Sequence, residues 1–329
     1  MVTFIIRPCQ NKTILFLMIL ILSFSSICTI INGRFSVAHT IVLLANFSIA
    51  LYLLNYGVNL KLLKLTFWGI CLFLLAKLFS GVNPNYMFIQ ASRNWVSMLL
   101  IPIVSLLYYF NYEKRRKIPL LPIIIVLILS IWARGRSGIL SAGILFFGII
   151  YQKFQDTKLK KIFITLFILT ITSFLLYPLI NEKVVESYNL ISFFNKFQQQ
   201  GLSDSYRSKL IQEYINNLNN IKNFLFGYNY TYNELFISWK LNPHNSFIRM
   251  HSYLGLASIL FILIVFYVLI YYFMSNKLYF FILLAFTFRA FTDNFLFVGP
   301  LDFIYFFIVF SGIKNLKLNS STIKTNCAA

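Results

Sequence analysis

The stretch TILFLMILILSFSSICTII, residues 13–31, decides the class of this protein. It carries no charge over a length close to the roughly 20 apolar residues that one bilayer crossing needs. Arg7 and Lys12 precede it, as basic residues precede the core of a signal peptide. The run is nevertheless too long for such a core and lacks a small-x-small cleavage site. It reads as a retained first span.

Working outward, comparable apolar runs fall at 36–57, 65–80, 95–112, 118–133, 137–152, 162–180, 246–274, 278–294 and 300–313. Composition agrees with them. Hydrophobic residues make up 59% of the 329, charged residues only 12%, and mean hydropathy is +0.74. A soluble chain carries roughly a quarter charged residues, so this one could not cover its apolar surface in water. The expectation is an all-α, polytopic integral membrane protein of about ten helices, forming one transmembrane domain over residues 1–329.

The net charge of +20 arises from 29 basic and 9 acidic residues. Nucleic acid is excluded as a partner because the basic residues form no continuous stripe. They sit between apolar runs, as the positive-inside rule requires. With the N-terminus inside, the cytoplasmic loops hold Lys61 and Lys64, then Lys114-Arg115-Arg116-Lys117. They also hold Lys153, Lys158, Lys160 and Lys161, then Lys277 and the tail lysines. The short outer loops hold only Arg34, Arg93, Arg134 and Arg136. Both termini are therefore expected on the cytoplasmic side. The cysteines, Cys9, Cys28, Cys71 and Cys327, have no zinc or disulfide spacing.

One long segment is polar and rich in asparagine: residues 181–243, placed outside by this orientation. Loops of that length are usually functional. Within it, Leu210, Ile211, Tyr214, Ile215 and Leu218 form a helical apolar stripe, opposite Lys209, Gln212, Glu213 and Asn216. Ser203 or Asp204 would cap this helix, which would lie on the membrane or on the mouth of the bundle.

Three polar elements stand out. Arg207 shares the angle of the apolar stripe and lies in the first turn, where the helix dipole disfavours a cation unless an anion is present. Its alternative is to snorkel towards lipid phosphates. Arg134 and Arg136 lie where two apolar runs almost meet, and guanidinium forks suit diphosphate oxygens; simple interfacial anchoring is the alternative. His244 and Asn245 stand where the outer loop re-enters the membrane. A histidine there is able to accept a hydroxyl proton, or is merely structural. His251 and His39 have weaker claims. No Asp-x-Asp, His-Glu-x-x-His, glycine-rich phosphate loop or nucleophile elbow occurs. A site of arginines and a histidine, with no metal and no cofactor, is what the residues offer.

In this order, the elements resemble the O-antigen polymerase and O-antigen ligase family of bacterial envelope enzymes. Gly135-Arg136-Ser137-Gly138 is similar to the family's Ser-Arg-Ser/Thr pattern. Arg207 and Leu225-Phe226-Gly227-Tyr228-Asn229 are similar to its arginine and Leu-x-Gly-x-Gly turn. His244-Asn245 and Tyr253-Leu254-Gly255-Leu256-Ala257 are similar to its His-Asn and Gly-x-x-Gly stretch. Gly135, Asn229 and Ala257 or Ser258 depart from the family residues, and the chain is short for the family.

The resemblance implies a metal-independent glycosyltransferase of the bacterial inner membrane, acting in polysaccharide biosynthesis. Polyprenyl-diphosphate-linked oligosaccharide would be donor and acceptor for a polymerase. A ligase would instead deliver finished polymer to a lipid A-core acceptor. Arg136 and Arg207 would bind the diphosphate with Arg134 assisting, His244 would orient or deprotonate the acceptor hydroxyl, and Asn245 would position it or cap the helix. A chain-length regulator and a flippase are partners that the resemblance leaves open. The rival from another class is a lipid-linked oligosaccharide flippase, whose path intramembrane arginines would line.

Overall fold

Backbone surrounded by lipid must hydrogen-bond to itself, and a single apolar segment does so only as a helix. The computed structural model describes residues 12–88, 93–154, 205–297 and 299–326. Among these there is no strand. The first six helices are α1 (Lys12–Ile31), α2 (Val37–Tyr56), α3 (Leu60–Phe79), α4 (Trp95–Glu113), α5 (Leu121–Trp132) and α6 (Arg136–Lys153). Then come the shorter α7 (Ser205–Asn217), α8 (Ile221–Phe226), α9 (Glu234–Ser238) and α10 (Ser246–Leu254). The last three are α11 (Leu256–Ser275), α12 (Lys277–Thr292) and α13 (Asp302–Asn326).

Five of them, α1, α2, α3, α4 and α11, are long and apolar enough to cross a membrane. Only 22% of the apolar stretch of α3 is buried inside the protein, against 72% for α4, so α4 is central and α3 peripheral. The peripheral helices expose Phe16, Leu65, Leu72 and Met274, an apolar surface that only lipid can cover. The chain is a helical membrane protein.

Most of the expected runs coincide with helices. The run 162–180, the start of the polar segment and the expected caps Ser203 and Asp204 lie outside the described residues. The run 246–274 is not one helix but two. Gly255 adopts φ +53° between α10 and α11, and a Cβ there would sit 2.1 Å from the Leu225 carbonyl oxygen. Gly227, at φ +81°, meets the His251 carbonyl in the same way, with a Cβ placed at 2.3 Å. The Leu225-Phe226-Gly227 turn and the α10–α11 break thus press backbone against backbone, where only glycine fits.

This contact seats residues 205–243 on one end of the bundle as a cap. The cap has a small core of Leu210, Tyr214, Tyr230 and Phe236, closed by Ile248 of α10. Ile215, expected on the buried stripe of α7, is 51% exposed. Of the stripe, Leu210 and Tyr214 are buried in this core and Ile211 and Leu218 pack against it, so the buried face is narrower than the apolar stripe. The asparagines have a structural task. Asn220, Asn229, Asn233 and Asn245 each accept a backbone N–H at the start of a helical turn, which meets donors that a helix leaves unsatisfied.

Helix directions separate the two ends. Ile31 of α1, Trp95 of α4, Arg136 of α6 and Thr292 of α12 lie at the cap end, as the contacts from Asn32 to Gly227, Asn94 to Asp293 and Ser137 to Arg289 require. At the far end the Tyr279 hydroxyl meets Glu113 and Lys114 reaches the Val58 carbonyl. Lys61, Lys114, Arg115, Arg116, Lys117 and Lys153 are exposed there.

Candidate functional site

The last turn of α12 is the centre of the polar chemistry. Arg289 is fully buried, which a guanidinium tolerates only with partners for its charge and its donors. Its Nη1 donates to Ser137 Oγ, its Nη2 donates to the Asn94 carbonyl at 3.3 Å, and Nη2 lies 3.4 Å from Asp293 Oδ2. Asp293 is one turn further on and almost as enclosed. Its Oδ2 accepts the Asn94 side-chain amide at 2.9 Å, and its Oδ1 accepts the Asn294 N–H at 2.8 Å. Ser246 ties the following turn to α10: its Oγ donates to the Asp293 carbonyl and accepts the N–H groups of Phe295 and Leu296.

The expected residues arrive at this centre from three directions. Arg207, half-buried on α7, donates from Nη1 to the Thr292 carbonyl at 2.9 Å, and lies close enough to Arg289 for the two cations to repel. Its place on the apolar stripe therefore turns it into the bundle. His244 Nδ1 is 4.0 Å from Asp293 Oδ1, and the edge of its ring meets Trp239 at 5.7 Å between centroids. His244 also takes a left-handed backbone, φ +48°. A residue with a Cβ pays roughly 1–2 kcal/mol for that conformation, and such strain gathers at functional sites.

Arg136 is the first residue of α6 and half-buried, beside Ser137. The small residues around it have a physical reason. A Cβ on Gly138 would sit 2.3 Å from Ser97 Oγ and 3.2 Å from Arg289 Nη1, and one on Gly135 would sit 2.6 Å from Asn94 Oδ1. The Gly135-Arg136-Ser137-Gly138 element is where α4 and the Arg289 side chain press against α6.

Comparisons with protein-family models, curated proteins and solved structures find no match to this chain.

Two expected residues behave differently from the core set. Arg134 is exposed and points away from the buried hub. Asn245 is buried, and its Oδ1 accepts the N–H groups of Phe247 and Ile248 at 2.8 and 3.3 Å. It caps α10, which is the structural half of its expected role. His251 is likewise structural: its ring joins the Tyr214 hydroxyl at 2.9 Å to the Phe224 carbonyl at 3.1 Å, fixing the cap to α10.

Sequence reading missed Asn94, Arg289 and Asp293. A signal existed for the last two, since an Arg and an Asp four residues apart inside an apolar run are costly in a membrane unless paired. For Asn94 there was none. Arg289 pairs with Asp293, Arg207 lies close enough to Arg289 to repel it, and Arg136 opens the helix whose Ser137 bonds to Arg289. Three arginines thus gather at a turn with one carboxylate, a surplus of positive charge suited to phosphate oxygens. Asp293 stands at ion-pair distance from His244.

Proposed function

We propose that this chain is a polysaccharide repeat-unit polymerase of the O-antigen polymerase type. It would join polyprenyl-diphosphate-linked oligosaccharides on the outer face of the bacterial inner membrane. In this reading the chain makes about ten spans with both termini cytoplasmic, the lysine-rich end faces the cytoplasm, and the cap is outside. The observation that carries the proposal is convergence. Three elements far apart in sequence, at Arg136, Arg207 and His244, meet around one turn, Arg289–Asp293.

Arg136 and Arg207 hold the donor diphosphate and stabilise the charge that develops on it as the glycosidic bond breaks. The acceptor hydroxyl oxygen bonds to the anomeric carbon while the carbon–oxygen bond to the diphosphate breaks. The electron pair leaves with the diphosphate, and the hydroxyl proton passes to His244. Asp293 stabilises the imidazolium that forms, and it reaches hydrogen-bond distance if the 4.0 Å gap closes by about 1 Å. Arg289 holds Asp293 in place without touching substrate.

The test is the surface glycan of a deletion strain on a gel, complemented with wild type or with Arg136→Ala. A single repeat unit on the lipid core, with the ladder restored only by wild type, is the expected outcome. Long polymer left on its lipid carrier would make the protein a ligase. Donor trapped on the cytoplasmic side would make it a flippase, and an unchanged ladder would end the proposal.

A further inference from the structure

A second group of cations lies one helix away from the Arg289–Asp293 turn. Arg34, in the link between α1 and α2, lays its guanidinium over the Tyr253 ring, 4.2 Å from the centroid. His39 stacks on the same ring at 4.4 Å, and its Nε2 is 3.1 Å from Ser25 Oγ. Two nitrogens of Arg34, Nε and Nη2, are enclosed by protein and make no hydrogen bond. An enclosed donor left unmet is costly, so such a pair asks for an acceptor. Burial draws the proton affinity of Arg34 below the ordinary arginine range, opposed by the hydroxyls of Tyr253, Tyr230 and Tyr214 and by the Cys28 thiol.

Arg249 is one turn before Tyr253 on α10, and it acts electrostatically on the same His39 and Tyr230 as Arg34 does. Its Nη1 donates to Asn294 Oδ1 at 3.3 Å, so it reaches the residue next to Asp293. Among the described residues no carboxylate lies within ion-pair distance of either guanidinium. The acid that Arg249 influences, Asp302, is not within ion-pair distance of it; its Oδ2 accepts the N–H groups of Phe297 and Gly299, and its Oδ1 is enclosed without a hydrogen bond. Arg34, with unmet donors, thus lies on the Tyr253 ring, Arg249 is one turn from Tyr253 on the same helix, and among the described residues neither has a carboxylate at ion-pair distance.

We infer that Arg34 and Arg249 form a second anion site, which takes the phosphate groups of a second lipid-linked substrate. The assignment to a substrate rests on the proposed function; the anion chemistry does not. A polymerase must hold two polyprenyl diphosphates at once, one cleaved and one kept. His244 stands just before α10, the helix that carries Arg249, and lies beside Asp293, whose neighbour Asn294 is the residue Arg249 reaches. The proton acceptor thus adjoins the element that carries Arg249, and the two sugars would meet there. Arg136 and Arg207 hold the diphosphate that leaves, and Arg34 and Arg249 hold the one that stays.

Binding of farnesyl diphosphate to the full chain in phosphatidylcholine nanodiscs, counted by native mass spectrometry, tests this. Wild type is expected to bind two molecules, Arg34→Gln/Arg249→Gln one, and Arg136→Gln/Arg207→Gln one. Inorganic diphosphate should displace the Arg34-dependent molecule; failure to do so would place recognition on the prenyl chain and overturn the anion site. Displacement by phosphatidylglycerol at equal concentration would assign the site to ordinary bilayer lipid and overturn the substrate assignment. A single bound molecule in wild type, unaffected by Arg34→Gln, would overturn both. Should the double variant unfold, Arg34→Lys keeps the test open, since loss of the fork is expected to weaken that molecule at least about tenfold. Two diphosphates bound by a protein whose deletion leaves the glycan ladder intact would sink the polymerase reading and spare this one.

Discussion

The two ends of the bundle both carry many cations and use them in opposite ways. At the far end Lys61, in the first turn of α3, and Lys114, Arg115, Arg116 and Lys117, in the link after α4, are exposed and keep their hydration. At the cap end Arg289 is fully buried, Arg207 is turned inward onto a backbone carbonyl, and Arg34 rests on an aromatic ring. Hydrated charge costs little to place and sets orientation through its number alone. Charge enclosed by protein needs partners that only the fold supplies, so its position becomes specific. That the enclosed cations are arginines follows from their weaker hydration and planar fork.

Breaking the hub should give the largest effect. Asp293→Ala leaves Arg289 buried without its counter-charge, and removing one partner of a buried pair costs about 3–5 kcal/mol. Thermal unfolding in detergent should show this, and a loss below about 1 kcal/mol would mean that water reaches the pair and the two ends are less different than they look. Next in size, Arg207→Lys should cut polymer formation about 10- to 100-fold, because a point charge does not replace a fork. Lys209→Ala on the exposed face of α7 should leave the ladder unchanged. Equal effects from both would remove any special role for Arg207.

A smaller change is expected from Asn245→Ala. It deletes the cap of α10 and should cost about 1 kcal/mol of stability, with Asn245→Asp recovering most of it. A loss of activity without a loss of stability would return Asn245 to a substrate-positioning role. The smallest effect belongs to the far end. Arg116→Gln should change stability by less than about 0.5 kcal/mol, as exposed surface substitutions do, and should leave the glycan ladder intact. A collapse of the ladder would show that this end, too, takes part in the chemistry.

That Arg207 leaves the polar face of its helix was legible in sequence, because its helical angle coincides with that of Leu210 and Tyr214; that it turns to the bundle and not to lipid phosphates was decided by its bond to the Thr292 carbonyl. The break at Gly255 was not. A glycine inside a long apolar run reads as a tolerated helical residue, and only the approach of the Leu225 carbonyl makes its left-handed backbone necessary. Asn245 was legible as a polar residue ahead of a helix, and its two backbone partners decided between capping and positioning.

Local composition was enough to determine the helical membrane class, the position of most helices and the collection of polar motifs at particular links. These depend on the free energy of moving short segments between water and lipid, which is a sum over neighbours in the chain. The Arg289–Asp293 hub, the part of Asn94 in it and the Arg34–Tyr253–Arg249 group depend on which helix ends lie side by side. A residue on α4, one on α6 and two on α12 acquire a common chemistry only when packing removes the water between them. That step, which converts scattered tolerable charges into one enclosed set, belongs to the tertiary structure alone.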